Sequence, residues 1–398
     1  MKQSNPRIRF KRFNNKWDNY KLGQLGSFKS GIGFPDSQQG GAEGIPFFKI
    51  SDMNNIGNET EMRNANNYVT QEQIVKNSWN VIKDTPAIIF AKVGAALMLN
   101  RKRLVTKPFL IDNNTMSYSL NKSWDKDFSL TLFQTINLPQ YAQIGALPSY
   151  NASDIAMIKV NIPSIREQSA IGSLFRTLDD LLAAYKENLA NYKAFKTSML
   201  SKMFPKSGQK VPEIRLAEFE GEWEEKEFTK IVKRISTSSD SSQLPKVEYE
   251  DIVSGQGRLN KDVSSKFDNR KGIHFKPGYT LYGKLRPYLN NWLLPKFEGV
   301  ALGDFWVFNP NGNNPEFIYY LIQSSHYQKV ANDTSGTKMP RSDWKSVSTT
   351  NFALPSTIKE QVAIGSFFSN LDTLINSYQD KIYQLEILKK KLLQDMFI

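Results

Sequence analysis

The feature that most constrains the fold is a long helical segment that occurs twice. Residues 167–204 and 360–397 align without a gap, and 15 of these 38 positions are identical. Both copies begin with Glu-Gln-x-Ala-Ile-Gly-Ser and end with Met-Phe, and each follows a proline, Pro163 or Pro355. At a rise of about 1.5 Å per residue, a helix of this length extends over roughly 60 Å. We therefore expect two rods that are too long for ordinary core helices.

The start of each rod carries a helix-capping pattern. Ser164 precedes Glu167 by three residues, and Thr357 precedes Glu360 by the same interval. In a capping box, the hydroxyl and the carboxylate each accept a hydrogen bond from a free amide at the helix start. The pattern predicts that the rods begin at these residues.

One face of each rod carries a narrow apolar stripe at spacings close to three, four and seven residues. The residues that we expect to pack in it are Ile171, Leu174, Leu178, Leu181, Tyr185, Leu189, Ile364, Phe367, Leu371, Leu374, Tyr378 and Leu385. Two rods separated by a folded domain can bury these stripes against each other as an antiparallel coiled coil with pseudo-twofold symmetry. The alternative is that each rod packs only on its own domain.

The segments that precede the rods are also repeated. Pro6, Ile8-Arg9, Phe13 and Trp17 recur 206 residues later as Pro212, Ile214-Arg215, Phe219 and Trp223. Each copy ends in a strand-like stretch, residues 157–162 or 349–354, before the proline. The sequence therefore predicts two tandem homologous α/β (α+β) domains at residues 1–160 and 206–353. The long helices occupy residues 161–205 and 354–398.

Between these ends the two copies diverge, but their order of elements is similar. In the first copy we predict strands at 45–50, 86–91, 95–99 and 115–120, a turn at Val93-Gly94 and a helix at 127–136. In the second copy we predict strands at 246–252, 279–283 and 303–308 and a single helix from Pro315 to about Lys329, capped by Asn314 or Asn313. Phe128, Leu132, Gln134 and Ser153-Asp154 match Phe317, Leu321, Gln323 and Ser342-Asp343 at a constant offset of 189.

The composition points to a polyanionic partner. The net charge is +13, and residues 1–160 contribute +8 of it. A generally basic, solvated surface is the alternative explanation of the charge. The absence of cysteine fits a cytoplasmic protein, and no stretch has the length and apolarity of a signal peptide or a membrane span.

Basic and polar side chains in four loops are the candidates for contact with a nucleic acid. Cations can bind phosphates or a guanine edge, and aromatic side chains often accompany them on such surfaces. In the first domain the candidates are Lys92, Arg101, Lys102, Arg103 and Lys107, with residues 101–103 predicted as a basic turn, and Ser149, Tyr150 and Asn151 in a predicted loop at 145–153. In the second domain they are Lys284, Arg286 and Tyr288, and Lys338, Arg341 and Ser342 in the corresponding loop at 336–342. A solvated hairpin tip and ordinary core aromatics are the alternatives.

No arrangement of catalytic residues is apparent. The sequence contains no phosphate-binding loop of the Walker type and no glycine-rich cofactor loop after a strand. Its two histidines, His274 and His326, are not spaced with carboxylates as metal ligands. We expect no bound metal and no cofactor on this chain.

The repeated openings and the repeated Glu-Gln-x-Ala-Ile rods resemble the specificity subunit of Type I restriction-modification systems. The resemblance in layout extends over nearly the whole chain, whereas the motifs are confined to the rods and openings. It implies that each variable domain is a target recognition domain for one half of a split sequence in double-stranded DNA. It also implies two methyltransferase subunits that bind S-adenosylmethionine, and restriction subunits that use ATP and Mg²⁺, as partners of a noncatalytic chain.

Divergence between the two copies predicts that the two half-sites differ, and a rigid helical spacer predicts that their separation is fixed. Two other functions are compatible with the residues. The chain could be an independent sequence-specific DNA-binding regulator, or a coiled-coil scaffold that binds no nucleic acid.

Overall fold

The computed structural model describes residues 6–143, 147–333 and 338–397. The chain divides into two compact units: Met1–Lys186 with Lys381–Ile398, and Glu187–Asp380. Each unit therefore contains one variable segment, the first half of one long helix and the second half of the other. Because these units divide within the helices, the division into four segments at 160, 205 and 353 stays a prediction from sequence.

The first unit is a mixed α/β structure whose elements are short, except for the long helix. Its strands are β1 (Asp18–Lys21), β2 (Gly26–Ser30), β3 (Ile45–Phe48), β4 (Tyr68–Val69), β5 (Ala87–Ala91), β6 (Lys102–Val105), β7 (Leu110–Ile111), β8 (Thr115–Leu120) and β9 (Lys159–Ile162). Its helices are α1 (Leu22–Leu25), α2 (Gln71–Lys76), α3 (Ala95–Met98), α4 (Lys126–Thr135), α5 (Ala152–Ala156) and the start of α6 (Ile165–Lys202).

Strand β5 is the centre of this unit because both of its faces are buried. The main sheet has the order β2-β8-β5-β6 and is antiparallel. Side chains alternate across a strand, so Ile88 and Phe90 face the helical core, whereas Ala87 and Ile89 face a second core. A continuous apolar run is typical of a strand that is covered on both faces. A smaller sheet, β4-β3-β7, contains the parallel pair β3 and β7, and β1 pairs with β9.

The second unit has the same plan. Its strands are β10 (Glu224–Glu227), β11 (Lys233–Ile235), β12 (Ser238–Ser239), β13 (Lys246–Val247), β14 (Ile252–Val253), β15 (Arg258–Leu259), β16 (Gly272–Phe275), β17 (Thr280–Gly283), β18 (Trp292–Leu293), β19 (Gly299–Ala301), β20 (Phe305–Asn309) and β21 (Asn351–Leu354). Its helices are α7 (Phe228–Ile231), α8 (Pro315–Leu321), α9 (Ser325–Ala331), α10 (Trp344–Thr349) and the start of α11 (Ile358–Asp395).

The sheets of the second unit repeat the connectivity of the first. The order β11-β20-β17-β18 matches β2-β8-β5-β6, the parallel pair β13 and β19 matches β3 and β7, and β10 pairs with β21 as β1 pairs with β9. Strand β17 is buried on both faces, with Tyr282 in the helical core and Leu281 in the second core. The predicted duplicated α/β fold is confirmed.

Within each unit, the two long helices pack antiparallel. In the first unit Phe175 packs against Phe397 and Asp179 forms an ion pair with Lys389. In the second unit Tyr192 packs against Tyr378 with ring centroids 5.4 Å apart, and the Lys196 Nζ lies 2.6 Å from the Asp372 carboxylate. In both units a higher residue number on α6 goes with a lower one on α11, as the predicted coiled coil requires.

Most of the predicted packing residues are buried or half-buried. Ile171, Leu178, Ile364 and Leu371 are buried, and those that are half-buried are Leu174, Tyr185, Leu189, Phe367, Leu374, Tyr378 and Leu385. The prediction for Leu181 was wrong. Its side chain is 39% exposed, and the adjacent Leu182 is buried instead.

A buried ion pair joins the start of α6 to the opening segment of the first unit. The Arg9 guanidinium donates two hydrogen bonds to the Glu167 carboxylate, with Nε to Oε1 at 2.6 Å and Nη2 to Oε2 at 2.7 Å. The Trp17 Nε1 also donates to Glu167 Oε1, at 3.4 Å. Glu167 is only 2% exposed, and its hydrogen bond raises the pKa of Arg9. Bidentate pairs of this kind are among the strongest hydrogen bonds in proteins.

The second unit repeats this junction. Arg215 donates from Nε and Nη2 to the two Glu360 oxygens at 2.8 Å each, and the Trp223 Nε1 donates to Oε1 at 3.1 Å. The adjacent glutamines are also equivalent, since Gln168 accepts from the Asp125 amide and Gln361 accepts from the Asn314 amide, both at 2.9 Å. The shared Arg, Trp and Glu-Gln motifs of the two copies are therefore one junction, present twice.

This junction corrects the capping-box prediction in part. The Thr357 hydroxyl does accept from the Glu360 amide at 3.2 Å, as predicted. The Glu167 and Glu360 carboxylates, however, bind arginine and tryptophan instead of the amide at the helix start. A buried arginine is a stronger partner for a carboxylate than a backbone amide that water can also solvate.

Two other local predictions were wrong. The predicted strand 95–99 is the helix α3, which begins after Gly94 with a φ of 78°, and the next strand along the chain that pairs with β5 is β6. The predicted helix from Pro315 to Lys329 is two helices, because the Ser324 hydroxyl accepts from the Tyr327 amide and starts α9. The Asn314 cap is confirmed. Among the described residues, no helix has the length and apolarity needed to cross a membrane.

Lys102 lies in β6 and not in a basic turn. It is 4% exposed, and its Nζ donates to Asn100 Oδ1 and to the Ile136 carbonyl, both at 2.7 Å. Burial disfavours the charged form of the amine and lowers the pKa of Lys102 to about 7. The prediction of Lys102 as a DNA contact was wrong for this reason.

We expect Glu167→Ala to lower the free energy of unfolding of the first unit by about 3 to 5 kcal/mol, because it leaves a buried guanidinium unpaired. Chemical denaturation followed by tryptophan fluorescence measures the change. Asp180→Ala, an exposed change on the same helix, is the control and should have little effect. Replacing both Arg9 and Glu167 by methionine should recover most of the loss. A Glu167→Ala protein as stable as the control would contradict this role.

We expect the stability of the protein to depend on pH through Lys102. In the unfolded chain Lys102 has the ordinary pKa of 10.5, whereas in the folded protein its pKa is about 7. The free energy of unfolding therefore decreases as pH falls through this range. Lys102→Met should remove this contribution, whose slope is at most about 1.4 kcal/mol per pH unit. Denaturation midpoints between pH 7 and pH 10 test it, with Lys107→Met as an exposed control. Parallel curves for Lys102→Met and the unmodified protein would show that Lys102 does not titrate in this range.

Candidate nucleic-acid interface

In the first unit the end of β5 is held by three backbone hydrogen bonds. The Lys92 amide donates to the Asn114 carbonyl at 2.9 Å, and the Gly94 amide donates to the Pro148 carbonyl at 2.9 Å. The Tyr150 amide donates back to the Lys92 carbonyl at 3.3 Å, and Val93 forms a β-bridge with Ser149. Three separate loops are thereby brought together at one edge.

The end of β17 is held in the same way. The Lys284 amide donates to the Asp304 carbonyl at 2.9 Å, and the Arg286 amide donates to the Pro340 carbonyl at 2.7 Å. The Ser342 amide donates to the Lys284 carbonyl at 2.9 Å, and Leu285 forms a β-bridge with Arg341. The connectivity of all four contacts is the same in the two units.

These contacts define an equivalent edge cluster in each unit. The first edge cluster consists of Lys92, Asn114 and Ser149, and the second consists of Lys284, Asp304 and Arg341. All six side chains are exposed or half-buried. The lysine is retained, but Asn and Ser in the first cluster correspond to Asp and Arg in the second. The same backbone arrangement thus carries different side chains in the two units.

The second edge cluster is an ion-pair network. The Asp304 carboxylate lies 3.0 Å from the Arg341 Nη2 and 3.6 Å from the Lys284 Nζ. The Arg341 hydrogen bond holds the pKa of Asp304 below its usual range, and the same bond raises the pKa of Arg341. An adjoining groove is lined by Tyr249, Arg270, Lys271, Leu285 and Asp304, among others.

Five of the predicted residues of the second unit lie on adjoining segments around this cluster. Lys284 and Arg341 are part of it, and Arg286, Tyr288 and Lys338 are exposed beside it. Ser342 is buried, and its hydroxyl donates to the Ala331 carbonyl at 2.7 Å, so its prediction as a DNA contact was wrong. Of the predicted loop 336–342, residues 336 and 337 lie outside the described residues.

In the first unit, the structure separates the predicted residues. Lys92 and Ser149 belong to the edge cluster, and the exposed Asn151 begins α5 beside it. Tyr150 is buried and donates its hydroxyl to the Ala91 carbonyl, so it was wrongly predicted as a surface contact. Of the corresponding loop 145–153, residues 145 and 146 lie outside the described residues.

The remaining basic candidates of the first unit lie in β6 and in the residues that flank it. Arg103, like Lys102, lies in β6, where its guanidinium donates to the Asn58, Lys102 and Met53 carbonyls and burial lowers its pKa. Arg101 donates to the Asn54 side chain, and Lys107 is exposed. A basic turn at 101–103 is therefore not present.

Asn114 and Asp304 were not among the residues predicted from sequence. Neither residue is a cation, so neither was selected as a candidate for DNA contact. Considered alone, the acidic side chain of Asp304 also argues against contact with DNA. The correspondence of Lys92 with Lys284, each of which directly follows an equivalent strand, could have identified them. Asn114 and Asp304 directly precede β8 and β20, which also correspond.

The described residues contain no group of three or more His, Asp or Glu side chains that could hold a metal ion. His274 Nε2 lies 2.7 Å from the Glu298 carboxylate on the surface, and the His326 ring packs against Phe352. Burial lowers the pKa of His326.

A known protein family and several solved structures match this chain. The family model described as Type I restriction modification DNA specificity domain matches residues 14–191 and again residues 220–386. A search of curated protein sequences found no match.

Solved structures share the fold at low sequence identity. The crystal structure of a Type I restriction-modification system S subunit from M. genitalium has a TM-score of 0.61 and 13% identity, and the alignment covers 99% of each chain. A structure described as "Structural basis underlying complex assembly and conformational transition of the type I R-M system" has a TM-score of 0.52 and 13% identity, covering 95% of this chain and 96% of the other.

The two family matches coincide with the two repeats of the chain, and each includes one edge cluster and much of one long helix. Together they extend over most of the sequence. This chain therefore belongs to the family of Type I restriction-modification DNA specificity proteins.

Proposed function

We propose that the chain selects the DNA target of a Type I restriction-modification complex. Each unit binds one half of a split, asymmetric sequence in double-stranded DNA, and the edge clusters are part of the two reading surfaces. The observation that carries this proposal is that the two edge clusters share one backbone arrangement but carry different side chains. A duplicated backbone arrangement is suited to two similar binding sites, and divergent side chains are suited to two different base sequences.

The charge of the chain supports contact with DNA. Neutralisation of phosphates by lysine and arginine supplies most of the sequence-independent affinity of DNA-binding proteins. The chain carries an excess of 13 positive charges, and Arg286, Lys338 and Lys92 are cations at or beside the edge clusters. Phosphate contacts of this kind orient a protein, whereas contacts to base edges determine sequence.

We propose that the long helices carry the sites for two copies of a methyltransferase subunit. Large apolar side chains are exposed at equivalent positions of α6 and α11, namely Ile165 (47%) with Ile358 (50%), and Phe195 (46%) with Leu388 (44%). Singly exposed apolar side chains are common on protein surfaces, so it is their recurrence at equivalent positions that supports a protein partner. Equivalent positions on the two helices fit two copies of one partner.

In this proposal the chain itself is noncatalytic. The methyltransferase subunits supply S-adenosylmethionine and modify adenine after flipping it out of the duplex, and restriction subunits supply ATP and Mg²⁺. This chain determines where both activities act. In this proposal the complex acts on DNA in the cytoplasm.

The target can be read directly from the DNA that the complex modifies. The chain should be co-expressed with its methyltransferase subunit, and adenine methylation should be mapped on random-sequence DNA by long-read sequencing. We expect a single motif with two different half-sites separated by a spacer of fixed length. A complex that forms but methylates without a motif would contradict the reading function, and the absence of any complex would favour an independent DNA-binding regulator.

The long helices should determine the spacer length. Insertion of seven residues after Lys186 in α6 and after Asp380 in α11 preserves the heptad and adds about 10 Å of helix. At about 3.4 Å per base pair, we expect the spacer to grow by about three base pairs. Both half-sites should remain the same. A methylated motif with the original spacing would show that the helices do not set the distance.

A further inference from the structure

The second edge cluster contains an arginine whose orientation is fixed by a carboxylate. The Arg341 Nη2 and Nε lie 3.0 and 3.4 Å from the two Asp304 carboxylate oxygens. Asp304 is itself restrained, because its backbone carbonyl accepts from the Lys284 amide. The arginine is therefore held along one side of its guanidinium.

The backbone that carries Arg341 is also anchored. Its bridge partner, Leu285, uses both its amide and its carbonyl in hydrogen bonds of 2.9 Å with the Tyr249 hydroxyl. The flanking Pro340 carbonyl and Ser342 amide are bonded to Arg286 and Lys284. A side chain that is already held in one orientation loses less conformational entropy when it binds a ligand, and the anchored backbone fixes the position from which Arg341 extends, so the site is suited to recognition of a defined geometry.

The other side of the guanidinium faces solvent. The Arg341 side chain is 53% exposed, and its Nη1 has no hydrogen-bond partner in the described part of the chain. Two adjacent N–H groups of an arginine match the O6 and N7 acceptors of guanine in the major groove, which is the commonest specific contact between proteins and DNA. A carboxylate on the opposite side leaves this pair of donors available.

The first edge cluster cannot make the same contact. Asn114 occupies the position of Asp304, and Ser149 occupies that of Arg341. Neither side chain presents two adjacent charged donors, because the asparagine amide is neutral and serine has a single hydroxyl. The two clusters therefore differ in the hydrogen-bond acceptors that they can bind.

On the basis of the proposed function, we propose that Arg341, positioned by Asp304, reads one guanine in the half-site of the second unit. Arg341 contacts the base, whereas Asp304 is a positioning residue that orients the guanidinium. The alternative is that Arg341 binds a phosphate, in which case it contributes affinity without sequence preference.

The first test uses the methylated motif. If the complex with the unmodified chain gives no motif, the proposed function fails, whatever Arg341 does. If the motif exists, Arg341→Ala and Arg341→Lys should both lose the requirement for one G·C pair in one half-site, because lysine lacks the planar fork. The other half-site and the spacer should not change. Retention of every G·C requirement by both variants would overturn the inference.

The second test changes the DNA and not the protein. Replacing the guanine by 7-deazaguanine removes the N7 acceptor, and we expect the affinity of the unmodified complex to fall by about 5- to 100-fold. The Arg341→Ala complex should bind both DNAs equally, and Asp304→Asn should reduce the discrimination. Lys338→Ala, a change of an exposed cation in the same loop, is the control and should weaken both DNAs alike. Equal binding of both DNAs by the unmodified complex at every guanine of the half-site would identify Arg341 as a phosphate contact and overturn the inference.

Discussion

The buried arginine–glutamate pair at the start of each long helix is the interaction on which the rest of the structure depends. Arg9 with Glu167, and Arg215 with Glu360, join the opening segment of each unit to the helix that follows its variable part. Because the carboxylates are almost inaccessible to water, loss of either partner leaves an uncompensated charge. The pair therefore requires the opening, the helix and the tryptophan beside them to assemble together.

The other end of each helix is fixed by aromatic packing in the same region. Phe397 contacts Trp17 and Phe128 in the first unit, and Phe204 contacts Trp223 and Phe317 in the second. Each unit thus binds the beginning of one long helix and the end of the other. Glycine is required where a helix passes close to a neighbour, since a side chain at Gly172 would lie 2.5 Å from the Phe128 amide. These contacts explain why the motifs of the two repeats are concentrated at the openings and in the helices.

The repeated parts of the fold could be predicted from sequence because repetition makes their constraints visible. The two long helices, their antiparallel packing and the duplicated α/β plan all follow from residues that occur twice. Local details in the variable segments could not be predicted in the same way. The apolar run at 95–99 fits a strand or a buried helix equally well, and only the position of Gly94 and the pairing of β5 with β6 decide between them.

The candidate site was predicted less completely than the fold, for a physical reason. A cation in sequence carries no information about its burial, so Lys102 and Arg103 resembled surface residues although both are engaged by interior carbonyls. Asn114 and Asp304 become notable only when the backbone shows that they occupy the same position beside an equivalent lysine. Tertiary structure brings these residues together from loops that are far apart in sequence.

The central claim is that equivalent edges of the two units contact different halves of one DNA target. Site-specific photocrosslinking tests it most directly, with a photoreactive amino acid at position 92 or position 284 of the chain in complex with the proposed methyltransferase partner and target DNA. The account predicts that position 92 crosslinks to one half-site and position 284 to the other. Crosslinks from both positions to the same half-site, or to neither, would contradict it.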